Sequence, residues 1–183
     1  MLLKRLALLF PTLIASVALA AGTPVGVVPE SLEVHVAVKA TMHSFTARVT
    51  GGELAITTDA AGAIDSATFT FDWSGVKTDN DKRDREMLEW VRAEEHPKGT
   101  FTLKAIEAGT EGTFASGTLE LHGNSREIEF PVMIEPAGAG FRVSGEATLD
   151  HREWGLKQIK KFGMFSVNPT VTIRFKFETT GPA

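Results

Sequence analysis

The sequence predicts an all-β chain, and three observations carry that prediction. Apolar residues recur at every second position in run after run, the runs are short and separated by turn-forming residues, and a single segment breaks the rhythm with a helical period. A period of two places alternate side chains on opposite faces of a strand, so each run has one face for a core and one for water.

The first run, SLEVHVAVK, sets Leu32, Val34, Val36 and Val38 against Glu33, His35, Ala37 and Lys39. In the next, HSFTARVT, the apolar set is His43, Phe45, Ala47 and Val49, so the parity has changed from even to odd. A continuous strand cannot change faces, which places a turn or bulge near Ala40 to Met42. After Asp59-Ala60-Ala61-Gly62 the alternation returns at Ala67, Phe69, Phe71 and Trp73, and again at Phe101, Leu103 and Ala105. Leu119 and Leu121 alternate with Thr118, Glu120 and His122, and Gly123-Asn124 marks a hairpin turn into Ile128, Phe130, Val132 and Ile134. Past Pro136-Ala137-Gly138 come Phe141, Val143, Ala147 and Leu149, and a last run holds Val171, Ile173, Phe175 and Phe177. About eight such runs fit either a two-sheet sandwich or a closed up-and-down barrel with an apolar interior, and periodicity does not choose between them.

The exception is Asn80 to Glu95, where Met87, Leu88, Trp90 and Val91 form a stripe among charged residues. Asp79, Asn80 and Asp81 are N-cap candidates and His96-Pro97 supplies the stop. A helix this short is marginal alone, so its stripe should rest on an apolar surface such as the open end of a barrel, with its charges facing water.

Residues 1–20, MLLKRLALLFPTLIASVALA, read as a signal peptide: Lys4 and Arg5, an apolar run interrupted by Pro11, then Ala18-Leu19-Ala20 as a cleavage site. The expected mature chain is one domain over residues 21–183, periplasmic or secreted. Its removal makes the formal charge of −4 more negative by two, because Lys4 and Arg5 leave with it. An acidic chain without a basic tract has no electrostatic footprint for nucleic acid. There is no cysteine, hence no disulfide, thiol nucleophile or thiolate metal site.

Five segments in order resemble one family. They are ATMHSF (40–45), KTDNDKRDREML (77–88), HPKGTF (96–101), GTLELHGNSREIEFPV (117–132) and HREWGL (151–156), and the likeness spans nearly all of the mature chain. The chain resembles the YceI family of exported, lipocalin-like, polyisoprenoid-binding proteins. One position departs: Glu86 stands where the family commonly has a histidine after its Arg-Asp pair. The resemblance implies an eight-stranded antiparallel β-barrel with a short capping helix. It would hold an isoprenoid or other amphipathic lipid, and members of the family are often dimeric; apart from the resemblance, the run Lys157 to Lys161, with Lys160 and Lys161, is the candidate for transient contact with an anionic membrane.

On that reading the alternating residues would line the ligand: Val36, Phe45, Phe69, Phe71, Trp90, Phe101, Leu103, Leu119, Phe130, Val132, Phe141, Val143, Trp154, Ile173 and Phe175. His43, by its parity, Arg83 and Arg152 are the candidates for a polar headgroup, set against a structural histidine and solvated ion pairs. The helix and the loop from Arg152 to Phe165 are the places for a lid or portal. No metal spacing such as His-Glu-x-x-His and no Gly-x-Ser-x-Gly elbow occurs, so no cofactor and no catalytic residue are expected. A barrel-mouth enzyme acting on a small apolar substrate and a filled-core interaction module remain the alternatives.

Overall fold

The computed structural model describes residues 22–41, 43–161 and 165–182. Its strands are β1 (Thr23–Val27), β2 (Glu33–Ala40), β3 (Phe45–Val49), β4 (Glu53–Thr58), β5 (Ile64–Asp72), β6 (Val76–Lys77), β7 (Lys98–Gly109), β8 (Gly112–Leu121), β9 (Asn124–Ala137), β10 (Gly140–Asp150), β11 (Lys160–Lys161) and β12 (Phe165–Pro182). One α-helix, α1 (Asp81–Trp90), joins β6 to β7. The expected leader at 1–20 lies outside the described residues, as does Met42 at the expected parity switch.

The strands pair antiparallel in the order β1-β4-β5-β7-β8-β9-β10-β12-β2-β3-β6, and the long β12 pairs with β2 along one stretch and with β1 farther on. That last contact closes the sheet into an eight-stranded barrel and decides against a sandwich. The eight staves correspond to the eight alternating runs, but three are interrupted. The first stave is β1 followed by β2, broken where Glu30 adopts φ 62°. The second is β3 followed by β4, broken at Gly51, whose φ of 72° suits a residue without a Cβ. The third is β5 followed by β6, with a single 3-10 turn at Trp73–Gly75 between them. The parity switch is real: Val34, Val36 and Val38 of β2 face inward, and so do Phe45, Ala47 and Val49 of β3 across the turn.

Local chemistry explains the corners. The β8–β9 hairpin turns on His122-Gly123, both left-handed at φ 49° and 69°, one residue earlier than the sequence implied. Asp59 Oδ1 accepts from the Ala61 and Ala63 amides, both at 2.9 Å, and so shapes the β4–β5 turn.

The helix is shorter than expected. Asn80 caps it, its side chain accepting from the Arg83 amide at 3.0 Å, but it ends at Trp90 rather than Glu95. Arg92 takes φ 53°, its amide donates to the Glu89 carbonyl and that of Ala93 to the Leu88 carbonyl, a Schellman ending with an arginine in the left-handed position.

Buried residues gather inside the ring. Leu119, Leu121, Leu149 and Trp154 form one cluster, Ile56, Val143 and Phe177 a second, and Ala115, Phe130 and Ala147 a third. The outer face carries cross-strand ion pairs, Arg142–Glu178 and Arg174–Glu146 at 2.6 Å, Lys104–Glu127 at 2.7 Å and Lys176–Glu33 at 3.0 Å. A charged outside around an apolar inside is the reverse of a transmembrane barrel.

Candidate functional site

The barrel is hollow. Its interior encloses a cavity of about 1080 Å³, lined almost entirely by the inward members of the alternating runs. Such a size sits at the upper end of what small-molecule sites in proteins usually offer.

The phenylalanine rings leave this space open because they lie against glycines on neighbouring strands. A Cβ at Gly99 would fall 2.5 Å from the ring of Phe71, one at Gly117 2.6 Å from Phe101, and one at Gly145 2.6 Å from Phe175. Phe71 and Gly99 are direct cross-strand partners, as are Phe175 and Gly145. The rings occupy the room that another side chain would take on the wall, and so do not project fully into the lumen. They contact each other in a chain, Phe101 to Phe130 at 5.5 Å, Phe130 to Phe175 at 5.7 Å and Phe175 to Phe177 at 6.5 Å.

Of the residues expected to line a ligand, Val36, Phe45, Phe69, Phe71, Trp90, Phe101, Leu103, Leu119, Phe130, Val132, Val143, Trp154, Ile173 and Phe175 all border the cavity. Phe141 does not. It packs beside Ile56, Val143 and Phe177, at the start of β10, where its amide donates to Thr179 Oγ1 at 3.0 Å.

Helix α1 lies at the cavity mouth and contributes Lys82, Arg83, Glu86, Met87, Glu89 and Trp90 to its lining. Leu88 and Val91, expected in the closing stripe, are not among the lining residues, and Val91 is fully buried. The charges therefore do not all face away from the lumen: several make the rim. The helix is held by polar contacts from both ends. Thr78 donates its hydroxyl to Asp84 Oδ1 at 2.5 Å and its amide to the same oxygen at 3.0 Å. The Arg83 guanidinium sits 4.0 Å over the Phe45 ring, a cation–π contact rather than the expected ion pair, and Arg48 pairs with Asp79 at 2.6 Å. Trp90 Nε1–H donates to the Lys157 carbonyl at 2.8 Å, tying the helix to the loop after β10. Leu156 and Ile159 of that loop also line the cavity, while 162–164 lie outside the described residues.

The other two headgroup candidates fall outside the lumen. His43 is exposed in the turn before β3 begins, so the alternation was extended one step past the end of its strand. Arg152 is an exposed residue committed to Asp150, with Nη2 to Oδ2 at 2.5 Å. The Arg152 guanidinium holds the Asp150 carboxyl at about 2, below the usual carboxylate range.

The residue between them was missed. His151 is buried at 6 % exposure and lines the cavity. Its Nδ1 lies 3.2 Å from the Leu156 carbonyl, its ring stands edge-on to Trp90 at 4.9 Å, and burial holds its pKa below the imidazole value of 6.5. Trp154, the last residue of the same 3-10 turn, is wholly buried and donates Nε1–H to the Leu119 carbonyl at 2.9 Å. Among the described residues, the buried side-chain polar atoms without a hydrogen-bond partner are Trp73 Nε1, His122 Nε2 and His151 Nε2. Trp73 and His151 border the cavity; His122 instead packs on His96 at 4.7 Å and was not the solvent-facing residue expected.

The family model of the YceI-like domain matches residues 26–179, most of the chain and every stave of the barrel. The chain belongs to the YceI-like domain family. Solved structures share its architecture. BcnA of Burkholderia cenocepacia is 21% identical with a TM-score of 0.70, over 81% of this chain and 96% of that one. A polyisoprenoid binding domain from Saccharophagus degradans, implicated in plant cell wall breakdown, is 16% identical with a TM-score of 0.66, over 88% of this chain and 100% of that one. The YceI protein of Campylobacter jejuni is 17% identical with a TM-score of 0.61, over 75% of this chain and 85% of that one. At these identities the likeness speaks to the fold. No curated protein sequence matches.

Proposed function

We propose that this YceI-like barrel binds an isoprenoid or similar amphipathic lipid in its lumen, for transport, storage or sequestration under stress, and catalyses no reaction on it. The observation that carries the reading is the apolar cavity of about 1080 Å³ with its charged residues confined to one mouth. An apolar chain entering it gains roughly 25 cal/mol for each Å² withdrawn from water, and the polar end of the lipid is left at the rim or at a polar group of the wall. The relative from Saccharophagus degradans described as a polyisoprenoid binding domain adds support from the same fold. Strands of this length span on the order of 30 Å, so a long prenyl chain folds back or projects past α1.

Export belongs to the same reading and rests on the leader-like composition of residues 1–20. Transient contact with a membrane at the helix end, and a homodimer, are further parts of it. The test is direct. Protein purified from its producing cell is extracted with organic solvent, the extract is weighed by mass spectrometry, and the lipid-free protein is reloaded with geranylgeraniol. A co-purified amphipathic lipid and stoichiometric reloading are expected; an empty extract together with no reloading sinks the carrier reading. Cell fractionation with N-terminal sequencing tests export, where a chain still beginning at Met1 in the cytoplasm would count against it.

A further inference from the structure

Towards its mouth the barrel wall is not hydrogen-bonded all the way round. β9 and β10 pair from Ala137–Gly140 to Val132–Gly145 and no further. The next pair would set Pro131 against Glu146, and a proline has no N–H to give a ladder. Beyond that point β9 runs on to Asn124 beside β8, and β10 runs on to Asp150 beside β12. The chain returns to β9 just past the end of β10, where Asn124 Nδ2–H donates to the Trp154 carbonyl at 3.1 Å. Between these two limits lies a long window, with residues 124–131 on one side and 146–150 on the other.

Side chains fill this window in place of a ladder. Phe130 of β9 packs with Ala147 of β10, and Leu149 packs with Trp154 and Ile128. All five border the lumen, so one layer of apolar side chains closes the wall there. At the Gly145 end the outer face carries a depression of about 460 Å³, bordered by Pro131, Val132, Gly145 and Phe175, with Met133 at its edge 59 % exposed. Val132 and Phe175 also border the lumen, so the depression and the cavity share part of their walls. Opening a paired seam means breaking its hydrogen bonds; here side chains have only to turn aside. β5 and β7 also part, over 64–67 and 103–106, but for a shorter stretch and away from this depression.

The mouth beside α1 offers an apolar chain a less favourable way in. It is rimmed by Lys82, Arg83, Glu86 and Glu89, charged groups that hold their hydration. The way from Met133 past Val132 to Phe130 runs along apolar side chains instead. We propose that the window between β9 and β10 is a lateral portal, through which the apolar chain of the lipid enters and leaves the lumen. The proposal rests on the lipid-binding reading above and adds the route to it. Beside the depression Arg174 is paired with Glu146 and Lys176 with Glu33, so the charges on this face are balanced and it suits a zwitterionic lipid surface.

The chain has no cysteine, so a pair of introduced thiols reacts alone. Glu129→Cys with Thr148→Cys puts one thiol on each side of the window, both at exposed positions, in the register carried on from Val132–Gly145. A bis-methanethiosulfonate cross-linker joins them and dithiothreitol releases them. Met133→Cys with Ser144→Cys, an opposed pair inside the ladder, gives a control bridge that leaves the window unspanned. Lipid-free protein is mixed with phosphatidylcholine vesicles carrying geranylgeraniol, and uptake is followed by stopped-flow tryptophan fluorescence, since Trp90 and Trp154 border the cavity. The bridge across the window is expected to slow uptake and release roughly tenfold or more, to leave the equilibrium affinity within about twofold, and to lose its effect on reduction. The control bridge is expected to leave the rates unchanged. Rates that the window bridge does not alter, or that both bridges slow alike, overturn the portal and leave lipid binding standing. Failure of the unbridged protein to take up geranylgeraniol removes both.

Discussion

Replacing Phe130 by alanine separates a hollow barrel from a filled one. Phe130 lies in β9 at 6 % exposure, beside Ala115 and Ala147, with the rings of Phe101 and Phe175 against it and the lumen on its inner side. A phenylalanine enclosed on all sides costs about 3 to 5 kcal/mol on truncation, part transfer and part new cavity. Here a small part of the ring, the 6 % still exposed, faces the lumen, which puts the cost at the lower end of that range. What remains is a transfer loss of about 2 kcal/mol and two ring contacts of roughly 0.5 kcal/mol each. Together these come to about 3 kcal/mol, and urea unfolding of the lipid-free protein should show a midpoint lower by roughly 1 to 3 M with an unchanged slope. The same variant should bind geranylgeraniol less tightly, because the wall it opens belongs to the lumen. A loss near 5 kcal/mol with lipid affinity untouched would refute a hollow interior, since only a closed core gives both results.

Three further outcomes follow from the same geometry. Gly145→Ala places a methyl 2.6 Å from Phe175 Cζ and 3.0 Å from the Pro131 carbonyl, so the ring must swing into the lumen; a cost of about 1 to 3 kcal/mol by denaturation and reduced lipid capacity are expected, and unchanged capacity would show that the ring has room elsewhere. Trp154→Phe removes the bond to the Leu119 carbonyl and is expected to cost roughly 1 to 3 kcal/mol by denaturation, with a loss of stability under a few tenths of a kcal/mol counting against that bond. Stability should also depend on pH through His151, whose folded pKa lies below 6.5 because burial disfavours its charged form, with the Asp150 carboxylate opposing and the Arg152 guanidinium reinforcing that shift. The unfolded chain then binds the proton first, so this contribution is complete above pH 6.5, declines as the pH falls from there towards the folded value, and levels off below it. Melting temperatures across that window should fall with acidity in the native chain and less so in His151→Phe; identical profiles would remove His151 as the source.

The eight staves were legible because one apolar face per strand is enforced by the pleat, whatever surrounds it. Their continuations were not. β1, β4 and β6 are short, and Glu30, Gly51 and the turn at Trp73–Gly75 interrupt the alternation before it can declare itself. The helix end escaped for a similar reason: an arginine at φ 53° has no sequence signature, whereas glycine would have had one. At the site, the apolar wall followed from parity, and Phe141 failed because it sits past the level at which the lumen ends. The polar residues failed more broadly, since parity applies only inside a ladder. His43 lies before one, and at the end of β10 a 3-10 turn puts His151 inside and Arg152 outside. Asp150 was the readable clue, an N-cap residue two positions before an arginine it can hold at the surface.

The hollowness itself comes from a pairing that no single-strand pattern contains. Bulky rings on an inner face would normally fill an eight-stranded barrel, which is only just wide enough for a core or a small ligand. In this chain Phe71 and Phe175 each face a glycine across the ladder, and Phe101 lies over Gly117, so the rings spread along the wall and cover backbone that would otherwise be bare. The apolar area that stabilises the barrel is thus buried between adjacent strands rather than across the lumen. A wall stabilised in this way does not need its cavity filled in order to fold.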